Sequence, residues 1–199
     1  MSSPILSLII EWKEQGKTHI VFDFDETIAT LLVDWPLWQR KMLALLRLFD
    51  PSYDPERAFV KADHINSFIR RFGDEARTPI VELNREMETE HCSGLTKNDA
   101  CLSLIHALRE AGFSLAVWSS NDTSTLGKYL FDLGIIELFS PIVGRDDVRF
   151  IKPDPDGWRL VNPDKLPVER FVFVGDSQSD RGACEALGLD FVHVSKVSP

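Results

Sequence analysis

The sequence predicts an α/β fold: a Rossmann-like, three-layer α/β/α parallel sheet carrying an inserted all-helical segment. Three observations lead there. Short apolar runs rich in β-branched and aromatic residues read as buried strands at residues 19–24, 114–118, 171–174 and 191–194. Helical patterns of ten or so residues separate the later runs, and that alternation builds parallel βαβ units. Between the first and second runs, residues 31–97 show three helical patterns and no strand.

Each helix carries its own punctuation. Asn98 is placed to cap a helix whose Cys101, Leu104, Ile105 and Leu108 share one face, with Gly112 as the stop. Asp122 or Thr123 opens another, with Leu126, Leu130 and Leu133 inward and Gly134 at the end. A third runs from about Ser179 to Leu187 and stops at Gly188. In the insert, Asp34-Trp35-Pro36 starts a helix with Trp38, Met42, Leu45, Leu46 and Phe49 on one stripe. Asp54-Pro55 starts a second, with Ile65, Phe68, Ile69 and Phe72 in phase and Gly73 at its end. Thr78-Pro79 starts a third, with Ile80, Leu83 and Met87 facing together. The expected organisation is a core of residues 1–30 plus 98–199 and a helical cap of residues 31–97.

Composition narrows the function. Hydrophobic residues make up 44% and charged residues 27%, which is ordinary globular usage. A net charge of −9 disfavours a nucleic-acid partner, because phosphate neutralisation needs a basic face. The acidity is uneven: residues 31–97 hold ten of the 22 Lys/Arg but only eleven of the 31 Asp/Glu, so the excess lies in the sheet portion. Three scattered cysteines form no disulfide framework and no C-x-x-C pair, and read as reduced thiols. The stretch 1–14 lacks a basic region and a cleavage signal, and no run nears the ~18 apolar residues of a membrane span. No membrane association is expected, and the expected location is cytoplasmic. H-x-x-x-H, G-x-S-x-G, Walker A and G-x-G-x-x-G patterns are absent, which disfavours zinc-helix, serine-hydrolase, P-loop and dinucleotide chemistry.

Ligands of an open parallel sheet bind outside the carboxyl ends of its strands. Those ends read Asp23-Phe24-Asp25-Glu26-Thr27, then Ser119-Ser120-Asn121-Asp122, then Gly175-Asp176-Ser177-Gln178-Ser179-Asp180. A loop adds Lys152-Pro153-Asp154-Pro155. In an extended stretch Asp23 and Asp25 point the same way. With Asp176 nearby, the grouped carboxylates repel one another, and a hard cation such as Mg²⁺, which also bridges to phosphate, relieves that repulsion. Lys152 adds fixed positive charge, and Ser119 with nearby backbone N–H groups offers neutral donors. Together these groups make a cradle for a transferring phosphoryl group. Asp122 and Asp154 read instead as helix caps.

The four segments resemble, in order and spacing, the four motifs of the haloacid dehalogenase-like superfamily: D-x-D-x-T, a Ser after an apolar strand, K-P-x-P and G-D-S-x-x-D. The resemblance covers residues 17–30 and 98–196, and the insert sits where that superfamily often carries a helical cap of the C1 kind. It implies that Asp23 is a nucleophile forming an aspartyl-phosphate and that Asp25 is the general acid–base. It implies that Ser119 and Lys152 hold the phosphate, with Ser120 contributing a backbone N–H. Asp176 would bind Mg²⁺ with the Asp23 carboxylate and the Asp25 backbone carbonyl, and Asp180 would orient metal-bound water. The acid at position 25 favours phosphate over halide chemistry. One departure is Glu26, where many members have glycine.

The expected function is Mg²⁺-dependent hydrolysis of a small phosphorylated metabolite. A phosphomutase or a catalytically silent binding module of the same fold remains open at this point. The insert is expected to be a mobile lid that selects substrate. Trp35 and Trp38 are candidates for its underside, and Arg70 and Arg71 are candidates to meet an anionic substrate.

Overall fold

In the computed structural model, which describes residues 4–55 and 59–197, strand β1 (His19–Phe22) lies at the centre of a five-stranded sheet. Its neighbours are β4 (Ser114–Trp118) and β6 (Phe171–Gly175), with β5 (Phe139–Val143) and β7 (Asp190–His193) at the edges. All pairings are parallel: Phe22 stands opposite Val117 on one side and Val174 on the other. The strand order β5-β4-β1-β6-β7 therefore brings the carboxyl ends of β1, β4 and β6 side by side.

Period-two alternation splits the apolar side chains between two cores. Ile20 and Phe22 face helices α1 (Pro4–Glu14), α5 (Asp99–Glu110) and α6 (Thr123–Asp132). Val21 and Phe173 face the short α7 (Trp158–Val161) and α8 (Gln178–Leu187). The result is the expected three-layer arrangement. The capping residues are those the sequence indicates: Asn98 accepts from Cys101 N at 3.1 Å and Asp122 from Ser124 N at 3.1 Å. Asp154 likewise caps its turn, accepting from Asp156 N at 3.0 Å. The fifth strand, β5, carries Ser140-Pro141 in the middle of its span and escaped the apolar pattern. The N-terminal apolar run folds as α1, burying Ile9 and Trp12.

The insert differs from expectation in three respects. It is bounded by strands: β2 (Ala29–Val33) and β3 (Cys92–Lys97) form an antiparallel ribbon, with Ala29 opposite Lys97 and Val33 opposite Cys92. β3 has no apolar alternation and exists because β2 offers it a ladder. Helix α2 (Trp35–Phe49) starts as expected, with Asp34 accepting from Leu37 N at 2.9 Å, but α3 (Ala62–Phe72) starts well after Asp54-Pro55. Helix α4 (Asp74–Thr89) begins four residues before Thr78, so Pro79 falls inside it as the sixth residue, where its missing N–H removes one intrahelical hydrogen bond. The three helices share a separate apolar core of Trp38, Met42, Leu46, Ile65, Phe68, Ile69 and Ile80. Among the described residues no helix is long and apolar enough to cross a membrane. The three cysteines are free, with Cys101 and Cys184 buried.

Candidate active site

The chain leaves β1 two residues earlier than its alternation suggests, and the turn after it fixes the first two acids separately. Asp23 N still donates to Val174 O at 2.9 Å, extending the ladder by one residue. Its carboxylate accepts from Lys152 Nζ at 2.8 Å and is 7% exposed. The Asp25 carboxylate accepts from Leu31 N at 2.7 Å, across the turn into β2. Glu26, the residue after Asp25, takes φ 60°, a left-handed conformation that costs a residue with a Cβ about 1–2 kcal/mol. Glycine adopts that geometry without strain. Thr27, fully buried, directs its hydroxyl toward Asp176 at 3.5 Å, and Asn98 Nδ2 holds the Thr27 carbonyl at 3.0 Å.

Lys152 is the hub. Its buried ammonium donates to Asp23, to Trp118 O at 2.9 Å and to Asp180. Burial opposes its charge, but Asp180 and Asp23 outweigh that and hold its pKa above the ordinary lysine value. Asp180 is fixed in turn by the start of α8, where its other oxygen accepts from Ser177 N at 3.0 Å while Ser177 Oγ accepts from Asp180 N at 3.1 Å. Gly175 is required here: a Cβ would lie 2.6 Å from Asp180 Oδ2 and push the carboxylate off Lys152.

Carboxylate oxygens of Asp23, Asp176 and Asp180 lie within 4.8 Å of one another. One ammonium cannot balance three such groups. Burial, reinforced by Asp180, raises Asp23 to about 7 and Asp176 to about 6. Burial also raises Asp25 to about 7, against the Leu31 hydrogen bond and with help from Glu26. An all-oxygen donor set with surplus negative charge fits a hard divalent cation such as Mg²⁺. The Asp25 side chain stands outside this cluster, so any part it takes in holding a metal is through its backbone.

This crowding sets a sign for pH dependence. Without metal, the raised carboxyls keep protons that the unfolded chain has released by about pH 4. Their stabilising contribution is therefore lost as pH rises from about 4 through about 7. The Tm gained on adding Mg²⁺ to the chelator-treated protein is expected to be larger at pH 8 than at pH 5, by on the order of 5 °C. Thermal unfolding at both pH values checks this, and a larger gain at pH 5 contradicts it.

Asp23, Asp25, Ser119, Ser120, Lys152, Asp176 and Asp180 all line one cavity of about 280 Å³, small enough to suit a metabolite. Ser119 is buried, and its hydroxyl donates to Asn121 Oδ1 at 2.9 Å. The roof comes from the insert, including Trp35, Trp38, Ile69, Asn84 and Glu88. Trp38 Nε1 donates to Asn84 Oδ1 at 2.8 Å, so its ring is held rather than free.

Arg70 and Arg71 are not part of the lining, which corrects the expectation for them. Ile65, Phe68 and Ile69 take the inward face of α3 and leave both arginines at its exposed end. Arg70 pairs with Asp154 and lies over Phe150, and Arg71 pairs with Asp50 at 2.9 Å. The cations that do line the cavity besides Lys152 are Arg77, Arg145 and Arg149. Glu88 was legible in principle: it falls on the inward stripe Ile80–Asn84–Met87–Glu88 of α4, where a charge needs a reason. Arg145 gave no such signal, since it sits in an irregular turn.

The chain belongs to the haloacid dehalogenase-like hydrolase family, whose match spans residues 20–194. It is 36% identical over 87 residues to a phosphoglycolate phosphatase of Salmonella paratyphi A, covering 43% of this chain and 34% of that protein. The aligned stretch thus spans about a third of the length of such curated relatives. Among solved structures, a predicted phosphoglycolate phosphatase from Haemophilus somnus superposes with a TM-score of 0.60 at 20% identity, covering 92% of each chain. A hydrolase of the same superfamily from Bacillus subtilis, YfnB, bound to magnesium, superposes with a TM-score of 0.51 at 21% identity, covering 88% and 87%.

Proposed function

We propose that the protein is a Mg²⁺-dependent phosphomonoester hydrolase of a small metabolite, working through an aspartyl-phosphate on Asp23. The observation that carries this reading is the pairing of two unlike carboxyls in one small cavity. Asp23 is buried against the Lys152 ammonium, while Asp25 lies apart from that ammonium and accepts from Leu31 N. A nucleophile and a proton donor need those different environments.

In this mechanism an Asp23 oxygen attacks phosphorus, and the bond to the leaving oxygen breaks as Asp25 gives that oxygen its proton. Asp25, now ionised, takes a proton from the water that attacks the acylphosphate and releases phosphate. Lys152 keeps Asp23 oriented and offsets negative charge on the transferring group, and the Ser119–Ser120 segment supplies hydrogen-bond donors to its oxygens. A bound Mg²⁺, held by Asp23, Asp176 and the Asp25 carbonyl with Asp180 beside them, would supply further charge neutralisation at the phosphoryl oxygens. Helices α2–α4 act as the lid that excludes water while the ester reacts. The phosphoglycolate phosphatases that share part of the chain make a short phosphorylated hydroxy acid the first substrate to try.

Phosphate release from a panel of phosphometabolites and an aryl phosphate tests the proposal. Activity is expected with Mg²⁺ and expected to vanish with EDTA. Full activity after exhaustive chelation removes the metal from the mechanism, and no release from any ester overturns the proposal.

A further inference from the structure

Arg145, the first residue of the 3₁₀ turn that follows β5, is 5% exposed and lines the same cavity as Asp23, Ser119 and Lys152. Its backbone N donates to Asn121 O at 2.8 Å, which seats it behind the Ser119–Ser120 segment. Only one nitrogen of its guanidinium is occupied: Nη1 donates to Glu88 Oε1 at 2.9 Å and to Ser120 O. Nε and Nη2 are buried with no hydrogen-bond partner among the described residues. Glu88 cannot turn to serve them. Its two oxygens also accept from Asn121 Nδ2 at 3.3 Å and from Asp122 N at 3.0 Å.

The unpaired atoms are not a random pair. Nε–H and Nη2–H are the two parallel donors on one edge of a guanidinium, and their spacing matches the two oxygens of a carboxylate. Buried donors without acceptors are rare in folded proteins, and each needs an explanation. Positive charge on this side of the cavity is also incompletely balanced. Glu88 neutralises Arg145, but Arg77 makes no ion pair among the described residues and donates only to the carbonyls of Asp146 and Val148, at 3.1 and 2.7 Å. We propose that Arg145 is a specificity-determining residue whose unpaired Nε/Nη2 edge grips a carboxylate on the substrate, with the phosphoryl group at Asp23. The inference rests on the hydrolase reading above and adds to it the residue that selects an acid-bearing phosphate ester.

The test compares wild type with Arg145→Lys and Arg145→Met, using 2-phosphoglycolate and p-nitrophenyl phosphate with Mg²⁺. Lysine keeps a cation against Glu88 but has no second edge, so it guards against a simple loss of folding. For both variants kcat/KM on 2-phosphoglycolate is expected to fall about 10–100-fold more than on the aryl phosphate, mainly through KM. Equal losses on the two esters overturn the proposal and give Arg145 a structural role or one at the reacting phosphoryl group. Equilibrium binding of 2-phosphoglycolate to Asp23→Asn, with and without Arg145→Lys, reads the subsite without turnover. Affinity at least about tenfold weaker with lysine is expected, and equal affinities overturn the proposal. Should wild type hydrolyse neither ester while the binding difference persists, the hydrolase reading fails and the carboxylate subsite stands.

Discussion

Asp23→Asn is expected to reduce phosphate release by about 10⁴-fold or more while leaving the protein folded. The two halves of that expectation have separate causes. Turnover is lost because an amide oxygen is too weak a nucleophile to form the acylphosphate, whatever its position. The fold survives because the amide oxygen can still accept from Lys152 Nζ, and the backbone bond from residue 23 to Val174 O is untouched. The substitution also removes one of three crowded carboxylates, so in metal-free protein the Tm should stay level or rise. Because the folded-state pKa of Asp23 is raised to about 7, its ionisation makes folding less favourable as pH rises from about 4 through about 7. The gain in Tm should therefore be greater at pH 8 than at pH 5. Initial rates and unfolding curves on the same preparation check both parts. A variant retaining even a tenth of wild-type activity removes Asp23 as the nucleophile.

Glu88→Ala is expected to destabilise the protein by about 3–5 kcal/mol. Glu88 and Arg145 form an ion pair in which both side chains are more than nine-tenths buried. Removing the acid leaves the guanidinium buried without its counter-charge, and also strips acceptors from Asn121 Nδ2 and Asp122 N. For a chain of this length the loss corresponds to a fall in Tm of about 10 °C. Exposed pairs between the same layers, such as Arg149 with Asp74, are the control: their loss should change stability by less than about 1 kcal/mol. Denaturant unfolding of Glu88→Ala and Asp74→Ala decides the matter, and equal, small effects would show that the buried pair is not what holds α4 to the core.

The sheet and the candidate site were legible in the sequence for one physical reason. A buried parallel strand must be almost wholly apolar, so acidic or hydroxyl residues immediately after it mark the strand end and the chemistry together. Asp23, Ser119 and Asp176 all stand out in this way. Lys152 was found from its proline-punctuated loop, but its bond to Asp180 was not, because that contact joins a loop to a helix start 28 residues away. The ribbon of β2 and β3 left no local trace, since Cys92–Lys97 has neither alternation nor β-branched density. It forms by pairing, and partners 59 to 68 residues apart cannot be read from either segment alone. The start of α3 was misplaced because Asp54-Pro55 satisfies the rule for a helix opening, whereas Lys61, a poor cap by composition, is where the helix begins.

The ribbon also bears on how such a chain tolerates change. Ala29 and Lys97 face each other across it, so the path out of the sheet portion and the path back are one strand spacing apart, about 5 Å. Whatever is threaded between them, the neighbouring backbone meets the same two anchor points. Closure entropy grows only with the logarithm of the length enclosed, so longer or shorter inserts shift folding free energy little. The ribbon works as a socket: the roof of the cavity can be exchanged, lengthened or pared back in evolution or by grafting, while the acids beneath keep their places.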